Sequence, residues 1–374
     1  MLEFAGRMLG GLPRADQRAK GELYVRGLLT DGRRKSMQPM AQRLGVDHQR
    51  LQQFITSSTW DFEAVRANVA RWGVEAIGPD AYVVDDSGFP KDGAASPCVA
   101  RQYSGTLGKV ANCQIGVSVQ MVTDHASLAA NWRLFCPASW DDTHVEDPAK
   151  AEDIRGRRAR AGIPEGVRHR EKWRLVLDML DQMTGATPTG WGLPKLPVAA
   201  DAGYGDATGF RLGLEQRGYR YVVAVKADTS AYPEHAKPTQ PPYNGRGRPP
   251  KPRYRDAPSN LRELALAAGR NARVEVTWRH GTRRSKTNPT AAMTSKFVAI
   301  KVRPANRDIP RGADGVLPTC WLLAEWPDGT DEPTDYWLSN LDDNTPIAEL
   351  VRLAKIRWRI EHDYRELKTG LGLD

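Results

Sequence analysis

The spacing of apolar residues along the chain changes character near residue 80. Before that point, apolar positions recur at helical intervals over residues 13–75, and Gly45 separates two short helices as in a helix-turn-helix. A helical bundle that merely packs against the rest of the chain accounts for the same spacing. We therefore predict a helical DNA-binding domain over residues 1–78, with a purely structural bundle as the alternative.

From residue 80 onward the apolar positions alternate with polar or small residues, which is typical of strands. Three consecutive runs over residues 80–136 predict an antiparallel meander, and the first run, residues 81–84, ends in Asp85 and Asp86. A polar, arginine-rich stretch follows over residues 140–170 and predicts a loop or an exposed helical excursion. The meander thus leaves a pair of acids at the end of its first strand.

The next segment alternates helices with strands. An amphipathic helix over residues 168–184 precedes a short buried strand that ends in Asp201, and a helix over residues 206–217 and a strand over residues 221–225 follow. The order β-β-β-α-β-α-β is that of an RNase H-like fold, in which an antiparallel meander is followed by helices that alternate with parallel strands. The sequence therefore predicts an α/β catalytic core whose first part covers residues 79–227.

This alternation stops after residue 227. Residues 228–345 contain a proline-rich, basic stretch and then further alternating runs, which predict a β-rich insertion. A final amphipathic helix begins near Pro346 and runs to about Thr369. Because this helix returns residues 346–374 to the catalytic core, the predicted fold is an RNase H-like mixed sheet interrupted by the insertion.

Composition narrows the range of functions. The 374 residues carry 54 Lys plus Arg and 45 Asp plus Glu, a net charge of +9, which favours a polyanionic partner such as double-stranded DNA. Four scattered cysteines, none in a C-x-x-C spacing, argue against a zinc site and a disulfide scaffold. The sequence has no apolar run typical of a signal peptide or a membrane span. We therefore expect a soluble, cytoplasmic protein without membrane association.

Three acids occupy positions that a two-metal site requires. Asp86 ends the first strand, Asp201 ends the fourth, and Glu361 lies in the last helix. In the RNase H topology the first and fourth strands are neighbours, so acids at their matching ends converge, although an acid after an apolar run is also a common turn cap. Carboxylates suit two Mg²⁺ ions, with Mn²⁺ as a substitute, that clamp the oxygens of a phosphodiester. Asp85 is the alternative to Asp86, because strand register decides which of them points at the metals.

Five short motifs occur in one order along most of the chain. They are D-D-S-G-F-P-K (85–91), R-Q-Y-S-G-T-L-G-K (101–109), A-D-A-G-Y-G (200–205), W-L-L-A-E-W-P (321–327) and L-A-K-I-R-W-R-I-E-H-D-Y-R-E-L-K-T-G (353–370). This set resembles bacterial insertion-sequence transposases of the DDE class, in the group with a Tyr-Arg-Glu-Lys signature around the last acid. The resemblance implies a DNA transposase that cleaves transposon ends and transfers the strands, acting as a homodimer that bridges two DNA ends.

The signature carries two cations over to the last motif. Arg357 stands four residues before Glu361, and Lys368 stands seven residues after it. One helix face would then present a metal ligand flanked by two phosphate-binding cations, with a surface salt bridge between Arg357 and Glu361 as the alternative. The sequence departs from the family pattern twice, because Ala354 replaces the signature tyrosine and the chain ends at Asp374, where family members usually continue.

Two further segments suggest DNA contacts. In related transposases that form DNA hairpins, a tryptophan of the β insertion stacks on an extruded base, and Trp321 is the candidate here, with a core tryptophan as the alternative. Arg246 and Arg248 lie in a G-R-G-R-P-P-K segment that looks like an AT-hook core, which would lie in a narrow minor groove. A flexible basic loop is the alternative for that segment.

The sequence thus favours a metal-dependent endonuclease and strand transferase that forms no covalent protein intermediate. Seven histidines, and no serine in a nucleophile-elbow context, argue against a Ser-His-Asp hydrolase. Two alternatives stay open. One is an RNase H-like nuclease that cleaves strands without joining them, and the other is a catalytically inactive, truncated transposase that acts only as a DNA-binding protein.

Overall fold

The computed structural model describes most of the chain. The described residues are 2–32, 35–105, 108–187, 189–243, 245, 247, 250–281, 284–285 and 288–372, with Lys368 described by its backbone only. Within these ranges, no helix has the length and apolar character that a membrane crossing requires.

The N-terminal part of the described chain contains five helices. They are α1 (Leu2–Leu9), α2 (Ala15–Leu29), α3 (Met37–Leu44), α4 (His48–Thr56) and α5 (Phe62–Ile77). Gly45 ends α3 in the left-handed conformation (φ 66°), and the side chain of Asp47 caps α4 by accepting from the backbone N–H of Gln49. The predicted pair of short helices around Gly45 is therefore present, and its DNA-binding role stays a prediction.

Six strands precede residue 228 in the described chain. They are β1 (Ala81–Pro90), β2 (Ala100–Ser104), β3 (Lys109–Val122), β4 (Ser127–Leu134), β5 (Val198–Ala200) and β6 (Tyr221–Val225). β4, β3 and β1 pair antiparallel, whereas β1, β5 and β6 pair parallel, which gives the order β4-β3-β1-β5-β6. This mixed sheet confirms the predicted RNase H-like fold. The predicted meander had three strands, and β2 adds a fourth that pairs with the N-terminal half of β3.

Helices cover both faces of this sheet. The helices that follow the meander are α6 (Pro148–Arg160), α7 (Lys172–Thr184), α8 (Ala202–Gly205) and α9 (Thr208–Gln216). One apolar cluster joins the sheet to α7 and α9 through residues such as Val84, Leu180 and Phe210. The sheet is thus buried on this face, and a second cluster buries the opposite face.

The last part of the chain supplies that second cover. Its two helices are α11 (Ile347–Lys355) and α12 (Trp358–Leu371), and Leu353 and Ile360 pack in one cluster with Val83. The prediction of one continuous helix is wrong, because the helix breaks at Ile356 and Arg357. Neither glycine nor proline marks the break; instead α11 packs against β6 and the insertion, whereas α12 packs against β3 and β4.

The insertion continues the core sheet. Its elements are β7 (Ser230–Pro233), β8 (Ser259–Asn260), α10 (Leu261–Ala268), β9 (Val274–His280), β10 (Ala292–Pro304), β11 (Cys320–Glu325) and β12 (Asp335–Ser339). β12 pairs antiparallel with β6, and β11 and β10 follow in order, so hydrogen bonding runs unbroken from the core into the insertion. The predicted domain boundaries at residues 78, 227 and 345 stay predictions.

Candidate active site

Asp85 and Asp86 lie in the middle of strand β1, because the strand continues to Pro90 rather than ending at the two acids as the sequence suggested, and their side chains point to opposite faces of the sheet. Val84 belongs to the core beneath α7 and α9, whereas Val83 belongs to the core beneath α11 and α12. Because side chains alternate along a strand, Asp85 continues the side of Val83 and Asp86 continues the side of Val84. Asp85 therefore faces the helix that carries Glu361.

Asp201 lies level with Asp85. β1 and β5 are parallel, and Val83 stands opposite Ala199. Asp85 and Asp201 each follow two residues after this pair, and alternation keeps both on the same side of the sheet. Asp85, in the middle of β1, and Asp201, directly after β5, therefore converge on one side of the sheet, with Asp86 turned to the other face.

Arg357 ties three carboxylates together. Its Nη1 lies 3.1 Å from Oδ1 of Asp85 and 3.8 Å from Oδ2 of Asp201, and its Nη2 lies 3.1 Å from Oε1 of Glu361. The pair of Arg357 with Glu361 is therefore more than a surface salt bridge. One guanidinium reaches an acid from β1, an acid after β5 and an acid from α12.

Asp86 has a different set of partners. Its Oδ2 lies 2.5 Å from Nζ of Lys172, the first residue of α7, and its Oδ1 accepts a hydrogen bond from the hydroxyl of Tyr204 in α8. Arg357 contacts Asp85, and no contact between Arg357 and Asp86 occurs among the hydrogen bonds and ion pairs of the described chain. Adjacent acids of one strand therefore belong to separate polar networks.

The carboxylate group around Arg357 is short of positive charge. Burial, together with the neighbouring Asp201 and Asp86, raises the pKa of Asp85 from 3.8 to about 6, although Arg357 opposes that rise. The side chain of Asp85 is 16% exposed, whereas that of Glu361 is 64% exposed. The desolvated end of the cluster, at Asp85, is where an additional cation would gain most.

The donor set fits a divalent cation. Oδ1 of Asp201 is buried and has no hydrogen-bond partner within the described residues, and a buried acceptor without a partner is costly unless a ligand satisfies it. Carboxylate oxygens are the ligands that Mg²⁺ and Mn²⁺ prefer. Asp85, Asp201 and Glu361 are the residues that would hold such ions.

The raised pKa of Asp85 has a consequence for stability. The folded state holds this proton more tightly than the unfolded state does, so the ionised carboxylate destabilises the folded, metal-free protein once the pH exceeds the folded pKa of about 6. We expect Asp85→Asn to raise the Tm of the metal-free protein by a few degrees at about pH 8, and the gain to vanish below about pH 4. Thermal unfolding followed by circular dichroism in EDTA measures both values. Equal Tm values at the higher pH would contradict the assigned cause.

A second group of metal-type ligands lies further along α12. His362, Asp363 and Glu366 bring their ligand atoms within 4.8 Å of one another. Asp363, however, accepts hydrogen bonds from Arg359 and, at 2.5 Å, from Oγ of Ser127. These contacts give Asp363 a structural role in docking α12 onto β4.

Two glycines near the acids allow neighbouring elements to pack closely. A Cβ on Gly205 would lie 1.9 Å from the backbone oxygen of Ala224, so only glycine lets α8 approach β6 directly after Asp201. A Cβ on Gly88 would lie 2.2 Å from Oγ of Ser104, which is buried in β2. The D-D-S-G and R-Q-Y-S-G motifs therefore fit together by close backbone packing, and they fix the end of β1.

Trp321 lies away from the carboxylates. It pairs with Ser339, which pairs in turn with Val222 near the N-terminal end of β6, whereas Asp201 follows the C-terminal end of the parallel strand β5 and Asp85 lies level with it. Its Nε1 donates to the backbone oxygen of Asp342 at 3.1 Å, and Nζ of Lys301 lies 4.0 Å from the ring centre. The structure therefore gives Trp321 the surroundings of a packed strand residue at the opposite edge of the sheet.

The structure does not describe the side chains of the other predicted DNA contacts. Lys368 lies on α12, but its side chain is outside the described residues, as are Arg246 and Arg248 altogether. Tyr364, the tyrosine of α12, accepts a hydrogen bond from Nε2 of Gln120 at 2.8 Å, so its hydroxyl faces the sheet.

A cleft of about 720 Å³ contains the acids and three side chains that sequence reasoning missed. The wall is formed by Asp85, Asp86, Gly88, Gln102, Tyr103, Gly105, Ile115, Lys172, Asp201, Gly203, Tyr204, Arg357 and Glu361. The missed residues are Lys172, Tyr204 and the exposed Tyr103. Lys172 carried no signal beyond its residue type, whereas Tyr103 belongs to the R-Q-Y-S-G-T-L-G-K motif and Tyr204 to the A-D-A-G-Y-G motif, and both could have been found there.

The fold and the site together define a class of protein: an RNase H-like α/β protein with three carboxylates gathered around one arginine in a cleft. The model of the DDE superfamily endonucleases matches residues 7–285, and the chain belongs to this family. The match includes Asp85, Asp86 and Asp201, whereas Glu361 lies beyond it. Membership implies the use of a divalent metal ion.

The chain is also similar to a curated protein. It is 25% identical over 206 residues to the probable transposase for insertion sequence element IS701 from Microchaete diplosiphon. The alignment covers 54% of this chain and 47% of that protein, so the chain spans about half the length of the curated relative that it matches. The family is thus one of endonucleases, and the relative is named as a transposase.

Proposed function

We propose that this protein is a transposase that cleaves DNA at the ends of a mobile element and transfers the freed strands. In this proposal Asp85, Asp201 and Glu361 hold two divalent ions, Mg²⁺ or Mn²⁺. Asp85 takes the place that the sequence pattern suggested for Asp86. The family membership and the transposase relative support the activity, and the geometry supports the choice of ligands.

One observation carries the proposal. The guanidinium of Arg357 reaches Asp85, Asp201 and Glu361 at 3.1, 3.8 and 3.1 Å, respectively. Three carboxylates that share one cation lie close enough to share metal ions, because a side chain with two terminal nitrogens spans only a small region. Asp86 fails this criterion, since its oxygens are used by Lys172 and Tyr204.

The chemistry requires no protein nucleophile. When bound, two divalent ions lower the pKa of an attacking oxygen and stabilise the charge on the leaving oxygen. A water oxygen loses its proton and bonds to phosphorus as the 3′ oxygen leaves and takes up a proton. The freed 3′-hydroxyl then loses its proton and bonds to a phosphorus of the target strand, whose own 3′ oxygen leaves and is protonated. Arg357 and Lys172 supply positive charge to the backbone of the strand in the cleft.

The N-terminal helices are proposed to bind the DNA end. The exposed side of α4 carries Gln49, Arg50, Gln52 and Gln53, which are hydrogen-bond donors suited to base edges and phosphates. Lys20 of α2 donates to Oε1 of Gln53 at 3.3 Å and adds positive charge to this surface. A homodimer on DNA completes the proposal, because two such surfaces would bring two DNA ends together.

The test is strand cleavage of labelled duplexes that tile the DNA flanking the coding sequence. Wild type is compared with Asp201→Asn in Mg²⁺, in Mn²⁺ and in EDTA, and a target plasmid is included to detect joined strands. We expect metal-dependent nicking at one position and joined product from wild type alone, with binding retained by the variant. Nicking without joining would indicate a nuclease, binding without cleavage would indicate a DNA-binding protein, and cleavage by Asp201→Asn would refute the site.

A further inference from the structure

The partners of Asp86 point to a task separate from that of Asp85. Oδ1 of Asp86 accepts a hydrogen bond from the hydroxyl of Tyr204, and Oδ2 lies 2.5 Å from Nζ of Lys172. Among the hydrogen bonds and ion pairs of the described chain, neither partner contacts the three carboxylates around Arg357. Asp86 thus joins a buried phenol to an ammonium group on the cleft wall.

Tyr204 provides a fixed anchor for this arrangement. It is 3% exposed, and its ring centre lies 5.8 Å from that of Phe210 in the core. Burial and the adjacent Asp86 raise the pKa of Tyr204 well above its usual value. The hydroxyl therefore stays protonated and donates a hydrogen bond to the carboxylate of Asp86. Asp86 is therefore held in one orientation from the protein side.

Lys172 occupies the other, open end. Its side chain is 32% exposed, it lines the same cleft as Asp201 and Glu361, and Nζ lies 5.4 Å from the ring centre of Phe135. An ammonium group has three N–H donors, and Asp86 accepts from one of them. Within the part of the chain that the structure describes, no second hydrogen-bond acceptor meets Nζ, so the remaining donors can bind an acceptor that enters the cleft.

In the proposed function, the acceptor that enters the cleft is a phosphate of a DNA strand. Its phosphates would meet the carboxylates of Asp85, Asp201 and Glu361, and Arg357 already contacts all three. Lys172 faces a single carboxylate and stands on the opposite side of β1 from that cluster. It can therefore attract a phosphate next to the one that reacts, which would fix the strand's position along the cleft.

We infer that Lys172 binds a backbone phosphate of the DNA strand, and that Asp86, braced by Tyr204, is its positioning residue. The inference rests on the proposed function, because it assumes that DNA lies in this cleft. It gives the two adjacent acids of β1 different roles, with Asp85 as a metal ligand and Asp86 as the residue that aims a cation.

Salt dependence of DNA binding tests the role of Lys172. Affinity of the full chain for the labelled duplex is measured against salt concentration in Ca²⁺ and in EDTA, for wild type, Lys172→Met and Lys172→Arg. One lost phosphate contact makes the slope of log affinity against log salt shallower by about 0.9. We expect this change for Lys172→Met and a wild-type slope for Lys172→Arg. Lys150→Met is the matched control, because Lys150 is also paired with an aspartate, Asp147, but on the exposed surface of α6.

Cleavage position tests the role of Asp86. Asp86→Asn leaves the positive charge of Lys172 in place but weakens the contact that fixes the position of its ammonium group. We therefore expect an unchanged salt slope, together with cleavage that is spread over neighbouring nucleotides. A purely structural role would lower the amount of folded protein without spreading the cleavage position. Loss of all cleavage at a normal slope would instead assign Asp86 to the metals and overturn the inference.

The outcomes separate this inference from the proposed function. An unchanged slope for Lys172→Met in a protein that cleaves DNA refutes the role of Lys172 and leaves the transposase proposal standing. A shallower slope for Lys172→Met, together with a wild type that never cleaves, supports the phosphate contact and refutes the proposed activity. The binding measurement does not depend on turnover, so both results are readable.

Discussion

Asp85→Asn is expected to lower metal-dependent DNA cleavage by about a thousandfold, whereas Asp86→Asn is expected to stay within about tenfold of wild type. The reason is orientation. Asp85 shares the guanidinium of Arg357 with Asp201 and Glu361, whereas Asp86 faces Lys172 on the other side of the strand. The amide of asparagine keeps the size of the side chain but removes the charge that a divalent ion requires.

The two variants control for one another because they stand side by side on one strand. Cleavage rates are measured at saturating duplex in Mg²⁺ and Mn²⁺, with affinity measured separately in Ca²⁺. The expected affinity of Asp85→Asn for DNA is at least that of wild type, since the cleft loses a negative charge. If Asp86→Asn is the inactive variant and Asp85→Asn cleaves, then the assignment of faces is wrong and the metals lie on the side of α7.

Glu361→Gln is expected to lower cleavage by about a thousandfold as well, while Glu366→Gln keeps near-normal activity. Both residues are exposed acids of α12. Glu361 contacts Arg357 at 3.1 Å, whereas Glu366 lies 3.5 Å from Nδ1 of His362 in the second acidic group. The comparison therefore asks which of two acidic groups on one helix carries the reaction.

This prediction matters because Glu361 lies beyond residues 7–285, which match the family model, so geometry is its main support. Metal binding is measured directly by calorimetry with Mn²⁺ on wild type and both variants. We expect Glu361→Gln to weaken Mn²⁺ binding and Glu366→Gln to leave it unchanged. The reverse pattern would move the metal site to His362, Asp363 and Glu366.

The sequence sufficed to predict the order of the core elements and the acid after β5. It could not decide between Asp85 and Asp86, and the reason is burial. Residues 81–84 are buried on both faces of a central strand, so the run is apolar throughout and its pattern does not reveal which face each side chain takes. The neighbours across the sheet supply that information, and they lie far away in sequence.

Other features were invisible for related reasons. The break at Ile356 and Arg357 has no local sequence signal and follows from two helices that pack against different strands. Lys172 and Asp86 are 86 residues apart in the sequence, and no local pattern at either position predicts their contact. The pairing of β12, in the predicted β-rich insertion, with β6 of the core could not be read from the sequence either, because strand pairing over long separations is not encoded in alternation.

The wide separation of Asp85, Asp201 and Glu361 along the chain has a consequence for synthesis. A ribosome makes the N-terminal helices, Asp85 and Asp201 long before it reaches α12, so a nascent chain has two of the three carboxylates early. Arg357 and Glu361 arrive together at the end, and the cleft closes only when α12 docks on β3 and β4. Folding order alone therefore keeps an unfinished chain from assembling the complete set of carboxylates.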